Sequence, residues 1–413
     1  MSEESDVIVI GAGLAGLAAA LDLAAVGLKV TVLESNDEVG GRMRTDNVDG
    51  LQLDHGFQLL NPGYPNIRRL GPLDDLQLSP LIPGALLSGL TGLQRVADPL
   101  RHPDWAFASA LAPVGSALAK VRLARYAAGC LRHGRDRPDT DLASDFYRSG
   151  VRGRIYNEVL RPFLTGVFLA DPAEVSGNYG RYIVRSLLRG TPSLPARGMG
   201  AFPKWLAGRL PEGSVRCGIR IQSVQAGCVT TSAGNVHARH IIVATDPRSA
   251  QALLPKLPDV RLVGCTTWYF LAPETPTTFA ALALDGLNRG PLLNSVALSE
   301  VVPSYATGDR HLVSATALGV GEATDAEVLL HLSQIWHTET NSWQLVKRYE
   351  IPFALPLHQP GKPIRTTPVA GEGIWIAGDY RATPSQQGAL ASGYRAANWI
   401  RRAESIPKIS PER

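Results

Sequence analysis

Gly11, Gly13 and Gly16 stand in the spacing G-x-G-x-x-G, between a short apolar run, Val7-Ile-Val-Ile10, and an alanine- and leucine-rich stretch from about Leu14 to Val26. The order predicts a buried parallel strand, a tight turn and a helix whose first residues include Leu14 and Ala15. That arrangement receives a dinucleotide pyrophosphate on free backbone N–H groups at the positive end of a helix. Gly11 allows the turn, Gly13 lets the backbone approach the phosphates, and Gly16 lets the helix pack closely on the strand. A second strand, Lys29-Val-Thr-Val-Leu33, leads into Glu34 and Ser35. It places an acid near the interval of about 20 residues at which a carboxylate meets a ribose hydroxyl, which favours ADP-ribose over a 2′-phosphate.

Gly40-Gly41-Arg42-Met-Arg44 follows directly. A guanidinium at Arg42 offers the bidentate geometry that suits a flavin pyrophosphate, and a NAD domain has no need of this loop, so FAD is the expected cofactor. At the far end of the chain, Ile374-Trp-Ile-Ala-Gly378-Asp379 and Gly388-Ala389-Leu-Ala-Ser392-Gly393 answer the first fingerprint. In this order the motifs resemble the flavin amine oxidase, protoporphyrinogen oxidase and phytoene desaturase superfamily, with the desaturase branch nearest. The resemblance spans the chain, with less specific landmarks at Phe163 to Pro172 through Ser176, at Pro195 to Gly200, and in a strand pair around Ile219 to Val224 and Ile241 to Thr245.

The resemblance implies an α/β chain: a Rossmann-type FAD-binding domain with an interleaved α+β substrate domain. The first would use residues 1–71, 191–252 and 360–413, the second 72–190 and 253–359. It also implies that Gly11, Gly13, Gly16 and Glu34 hold the ADP half, that Arg42 lies by the pyrophosphate, and that the backbone of Ile221 meets the adenine. Asp379, after Gly378, would lie near the ribityl or phosphate groups, or else serve as an N-cap or turn residue. Gly388 and Ala389 would begin a helix whose N-terminus stabilises negative charge on a reduced flavin.

For the reaction, two departures from the family pattern count against an amine substrate. Relatives that oxidise amines commonly keep a lysine near the flavin in the substrate domain, but none occurs from Leu257 to Val346, and Lys347 sits in what reads as a later strand. Where the resemblance expects an aromatic ring before the Gly-Ala pair, the chain has Gln386 and Gln387, and Tyr380 is expected to pack. Asp54-His55-Gly56-Phe57-Gln58 falls just after the Arg42 loop. His55 could exchange a proton at neutral pH, although a lone histidine is more often structural. The expectation is an FAD-dependent oxidoreductase of dehydrogenase or desaturase type, taking hydride from a hydrophobic, isoprenoid or polycyclic molecule and passing electrons to oxygen or a quinone. The alternatives are an amine oxidase with an atypical site, or a flavoprotein whose FAD is structural or redox-neutral.

The 413 residues suggest two domains of about 100 to 200 residues each. A net charge of +4 is too small to argue for nucleic acid. The four cysteines, Cys130, Cys217, Cys228 and Cys265, lie far apart with no metal-ligand spacing, so no metal is expected and the thiols read as reduced. None lies in the carboxy-terminal motif, so FAD should be held non-covalently. Met1 to Asp6 is acidic and unlike a signal peptide, and a cytoplasmic protein is expected. Between Arg95 and Arg137, basic residues including Arg101, Lys120, Arg122, Arg125, Arg132 and Arg135 alternate with Trp105, Phe107 and many alanines and leucines. This stretch reads either as a solvated face over the substrate domain or as a basic amphipathic helix in peripheral contact with an anionic membrane.

Overall fold

In the computed structural model, residues 5–132 and 138–406 are described. Two sheets organise them. In the first, β1 (Ser5–Ile10) is flanked by β2 (Val30–Leu33) and by the strand Gly234–Val243, all parallel. Val215–Arg216 extends the parallel set beyond β2, and Ile374–Ile376 extends it beyond Gly234–Val243. The register levels the strand ends, because Ile10 pairs with both Leu33 and Val243, and Val243 pairs with Ile376. The residues that follow, Gly11, Glu34, Ala244 and Ala377, therefore emerge along one edge, where open parallel sheets bind ligands. Helix α1 (Leu14–Ala24) returns the chain across this sheet, and the C-terminal helix Gln386–Ala403 packs on α1. The contact is close: a Cβ on Gly393 would stand 2.1 Å from the Ala15 carbonyl oxygen.

The second sheet runs in the order Gln344–Pro356, Leu262–Ala272, His311–Leu318, Leu292–Ala297, Leu282–Asp285, Gly84–Gly89, Gly92–Ala97. Its pairs are antiparallel except where Leu282–Asp285 lies alongside Gly84–Gly89. The apolar run around Thr266 to Leu271 is a core strand, as its composition suggests. Trp268 and Phe270 face a cluster that includes Leu332 and Trp336 of the helix Asp325–Trp336, whereas Tyr269 belongs to a cluster that spans both sheets, including Val9, Leu17, Leu284 and Val296. Both faces of the strand are covered, so every residue from Cys265 to Phe270 is buried.

The chain from Arg95 to Arg132 departs from the single basic helix read in the sequence. It forms part of the edge strand Gly92–Ala97, a helix Ala106–Leu111 and a second helix Ala117–Arg132. Two of its cations are turned inward. Arg101 donates to the carbonyls of Leu187 and Gly190, and Lys120 Nζ to those of Ser109, Ala110 and Ala112, so both serve as structural ties. Arg135 and Arg137 lie outside the described residues, as do Met1 to Glu4.

Candidate functional site

The turn after β1 has the geometry its glycines imply. Gly11 adopts a φ of +99°, and a Cβ on it would come 2.9 Å from the Ala244 carbonyl oxygen. A Cβ on Gly16 would stand 2.0 Å from the Gly11 oxygen, so helix and strand meet with no room for a side chain. At Gly13 nothing lies within 4 Å of the Cβ position: the surface above the turn is open. The Glu34 carboxylate is buried beside it, accepting from the Ala12 N–H at 2.8 Å through Oε2 and from the Asn36 N–H at 2.9 Å through Oε1. The Ser35 hydroxyl also reaches Oε1. Acid and turn are thus one unit, fixed before any ligand arrives. Ile221, expected at the adenine, begins the strand Ile221–Gln225 in an antiparallel meander, and the preceding loop is tied to the acid by the Ile219 N–H donating to the Glu34 carbonyl.

The Gly40-Gly41-Arg42 loop closes over this turn. The Gly40 N–H donates to the Ala12 carbonyl at 2.9 Å, and a Cβ on Gly41 would stand 3.6 Å from the Gly13 Cα. Arg42 then reaches the carboxy-terminal motif, pairing with Asp379 Oδ1 at 2.8 Å and donating to the Ala354 carbonyl at 2.9 Å. Burial works against the Arg42 charge, and the Asp379 carboxylate more than offsets it, so the guanidinium pKa is raised. Asp379 also accepts from the Tyr380 N–H, the turn role weighed for it above. Tyr380 packs against Gly378 and the cluster of Ile8, Ile10 and Ile376, which fits the packing role expected for it.

The C-terminal helix begins two residues earlier than Gly388. The Ser385 side chain accepts from the Gly388 N–H and is the N-cap, so Gln386 and Gln387 are helical. These glutamines hold the loop after β4 (Leu51–Asp54): Gln386 Nε2 donates to the Leu59 carbonyl and Gln387 Oε1 accepts from the Asn66 N–H. Gln386 Oε1 is buried with no hydrogen-bond partner among the described residues. Tyr179, from the helix Gly177–Arg189, anchors the same motif through its hydroxyl to the Pro384 carbonyl.

His55 does not stand alone. Its Nε2 lies 2.8 Å from Asp46 Oδ1, on β3 (Thr45–Val48), while Asp46 Oδ2 accepts from Lys347 Nζ at 2.9 Å and from the Tyr349 hydroxyl at 2.7 Å. Lys347 and Tyr349, two residues apart on the edge strand Gln344–Pro356, project to the same face and join the second sheet to the β3–β4 hairpin. An ionised carboxylate only accepts, so Nε2 carries the proton of His55. Burial would raise the Asp46 pKa, but the hydrogen bonds from Tyr349, Lys347 and His55 hold it well below the usual carboxylate range. Beside it, Asp54 is fully buried, accepting from Thr45, the Met199 N–H and Tyr305, while its backbone carbonyl accepts from Tyr269. Burial pushes the Asp54 carboxyl up to about 6 against those hydrogen bonds. The sequence reading named His55 and Lys347 separately and passed over Asp46, Tyr305 and Tyr349. The alternation Lys347-x-Tyr349 was the available signal, but nothing in it indicates a partner 301 residues away.

The fit to a flavin dinucleotide rests on an open face at Gly13, a buried acid at the end of β2, and an arginine and a capped helix at the level of the carboxy-terminal motif. Together with the two sheets, this defines a flavoprotein oxidoreductase of the two-domain amine-oxidase type. The profile of the flavin containing amine oxidoreductase family matches residues 14–401, and the chain belongs to that family. It is an FAD-dependent enzyme. It is similar to a hydroxysqualene dehydroxylase of Sinorhizobium fredii, 26% identical over 95% of this chain and 97% of that protein. A probable polyamine oxidase 4 of Arabidopsis thaliana is 50% identical, but over 16% of this chain and 15% of that protein. Cyclohexylamine oxidase from Brevibacterium oxydans has the same fold, with a TM-score of 0.72 at 18% identity, covering 97% of this chain and 99% of that one.

Proposed function

We propose that this enzyme acts on a hydrophobic isoprenoid substrate, with chemistry at a carbon centre and not at an amine. The observation that carries the reading is the reach of the similarities. The likeness to hydroxysqualene dehydroxylases runs through 95% of the chain, including the regions expected to contact substrate, whereas the polyamine and putrescine oxidases align over 16% and 18% of it, and hydroxyneurosporene desaturase over 14%. The arrangement of side chains supports this. Lys347, the nearest lysine to the family's position, is occupied by Asp46 and lies over the Tyr349 ring at 4.8 Å, and Gln386 and Gln387 are engaged with the loop at 59–66.

FAD supplies the hydride acceptor or donor when bound. The chain's share is binding and orientation: Glu34 and the glycine turn for the ADP half, Arg42 and Asp379 for the pyrophosphate and ribityl region, Ser385 and the helix it caps for the flavin end. His55, held by Asp46 in one tautomer, is the candidate to hold or move a proton at its other nitrogen. In the direction inferred from sequence, a saturated carbon pair loses two hydrogens, with oxygen or a quinone as final acceptor. Removal of a hydroxyl, the act in the relative's name, runs the other way: C–OH takes up a hydride and a proton, leaving C–H and water.

Anaerobic incubation of the FAD-loaded enzyme with hydroxysqualene, squalene and putrescine, once with the flavin oxidised for hydride removal and once after reducing it with dithionite for hydroxyl removal, followed by flavin absorbance and product mass, tests the reading. A product differing by one oxygen or two hydrogens from an isoprenoid is expected. Flavin bleaching by putrescine alone would overturn it.

A further inference from the structure

One face of the second sheet is polar at its buried centre. The register sets Tyr349, Thr267, Thr316 and Asn294 side by side across the strands Gln344–Pro356, Leu262–Ala272, His311–Leu318 and Leu292–Ala297. Two residues along, Lys347, Tyr269, Ser314 and Val296 form the next row of the same face. This face turns to the β3–β4 hairpin, because Lys347 and Tyr349 reach Asp46 there and the Tyr269 hydroxyl reaches the Asp54 carbonyl. Ser295, between Asn294 and Val296, points the other way and accepts from the Trp336 indole N–H at 2.9 Å.

Hydrogen bonds account for part of this polarity. The Thr267 and Thr316 hydroxyls meet at 3.1 Å. The Asn294 carboxamide oxygen and the Ser314 hydroxyl have no hydrogen-bond partner among the described residues, although Asn294 is 6% exposed and Ser314 is 0% exposed. Native cores keep few such atoms, since each carries its desolvation cost uncompensated. These two are diagonal neighbours on paired strands, a relation that separates residues by about 7–8 Å and leaves a span one hydroxyl can bridge. The surroundings are apolar: Tyr269, Val296, Leu284 and Leu312 share one core cluster, against which Phe163 packs while only partly buried. Gly166 faces Asn294 from the helix Arg161–Phe168, where a Cβ would stand 3.0 Å from the carboxamide nitrogen, so the glycine keeps a side chain off the amide.

We propose that Asn294 and Ser314 form a polar subsite for a hydroxyl carried by an otherwise apolar substrate. The ligand hydroxyl donates to Asn294 Oδ1 and accepts from the Ser314 hydroxyl. The inference rests on the isoprenoid reading and narrows it to an oxygen-bearing isoprenoid. A long apolar chain can slide along an apolar wall, and one polar pair in that wall fixes its position, as the few polar groups of a ligand pocket fix orientation.

Binding of squalene and of hydroxysqualene to the FAD-loaded enzyme, under nitrogen with the flavin oxidised and followed by flavin and tryptophan fluorescence, tests it. The wild-type chain should bind hydroxysqualene at least about tenfold more tightly than squalene, because a site built to hydrogen-bond a hydroxyl rejects the analogue that lacks it. Asn294→Leu and Ser314→Ala, each retaining FAD, should abolish that preference while binding squalene as well as wild type does. Ser314→Ala removes one oxygen and little volume, so it decides the matter if Asn294→Leu does not fold. Equal affinities in the wild-type chain would overturn the subsite alone. A preference that survives in the folded variants would also overturn it and assign the pair to a buried water. Failure of both molecules to bind the wild-type chain would overturn the isoprenoid reading and the subsite with it.

Discussion

The glycine turn lies within the first sheet's opening strand and helix, whereas the Asp46 cluster lies where the β3–β4 hairpin meets the second sheet, and the two are built in different ways. The turn is made of backbone, and its residues fall within the stretch from Gly11 to Glu34. The cluster is made of side chains, and half of it comes from a strand about 300 residues later. A backbone site demands a residue type at each position, since no other residue accepts the φ of Gly11 or the approach at Gly16. A side-chain site demands only that some donor reach some acceptor, and many residue types would serve. The first kind announces itself in sequence and the second does not.

Substitutions can break this comparison. The largest effect is expected at Gly16→Val, where the new side chain meets the Gly11 carbonyl; stability should fall by about 3 kcal/mol and the purified protein should be colourless. Gly13→Ala is the sharper test. Gly13 has a φ of −76° and open space at its Cβ, so the melting transition should move little while FAD retention falls at least about tenfold. Equal destabilisation by both would mean that Gly13 is structural.

Asp54 separates fold from site in another way. Its folded pKa is about 6 against 3.8 for an ordinary Asp, so the native state binds its proton more tightly than the unfolded chain does. Its contribution is therefore most favourable below pH 4 and is lost as pH rises to about 6, a change of order 1–3 kcal/mol. Urea midpoints of wild type minus Asp54→Asn, measured from pH 4 to pH 7, should show that downward slope; a flat difference would place Asp54 in an ordinary environment. The smallest effect is expected at Asp46→Asn, which weakens the hold on Lys347, Tyr349 and His55 at a partly exposed position. Stability should change by about 1 kcal/mol or less with FAD retained. Turnover, and its dependence on pH, should change more than stability if His55 handles a proton.

The same division governs how much could be read in advance. The strands around Val7 and Lys29, helix α1, Glu34 and the carboxy-terminal Gly-Asp motif were legible because period, glycine spacing and chain order all agree there. The start of the C-terminal helix was misplaced by two residues because Ser385 competes with Gly388 as the boundary signal, and its hydroxyl decides the cap. In the Arg95 to Arg132 stretch the exposed Arg125 and Arg132 sit on a helix, but Arg101 is turned inward for a tertiary reason: the carbonyls it satisfies at Leu187 and Gly190 are 86 and 89 residues away, so its charge looked free. Asp46 gave no signal, being one acid among many on a short hairpin.

The most direct test of the central claim is the visible spectrum of the purified chain before and after heat denaturation and filtration. The account predicts flavin bands in the native protein and the same bands, identified as FAD by mass, in the protein-free filtrate, because no cysteine lies between residues 374 and 393 to hold it covalently. A chain that is folded yet neither carries flavin nor takes it up when FAD is added would contradict the assignment of the glycine turn, Arg42 and Asp379 to one cofactor site.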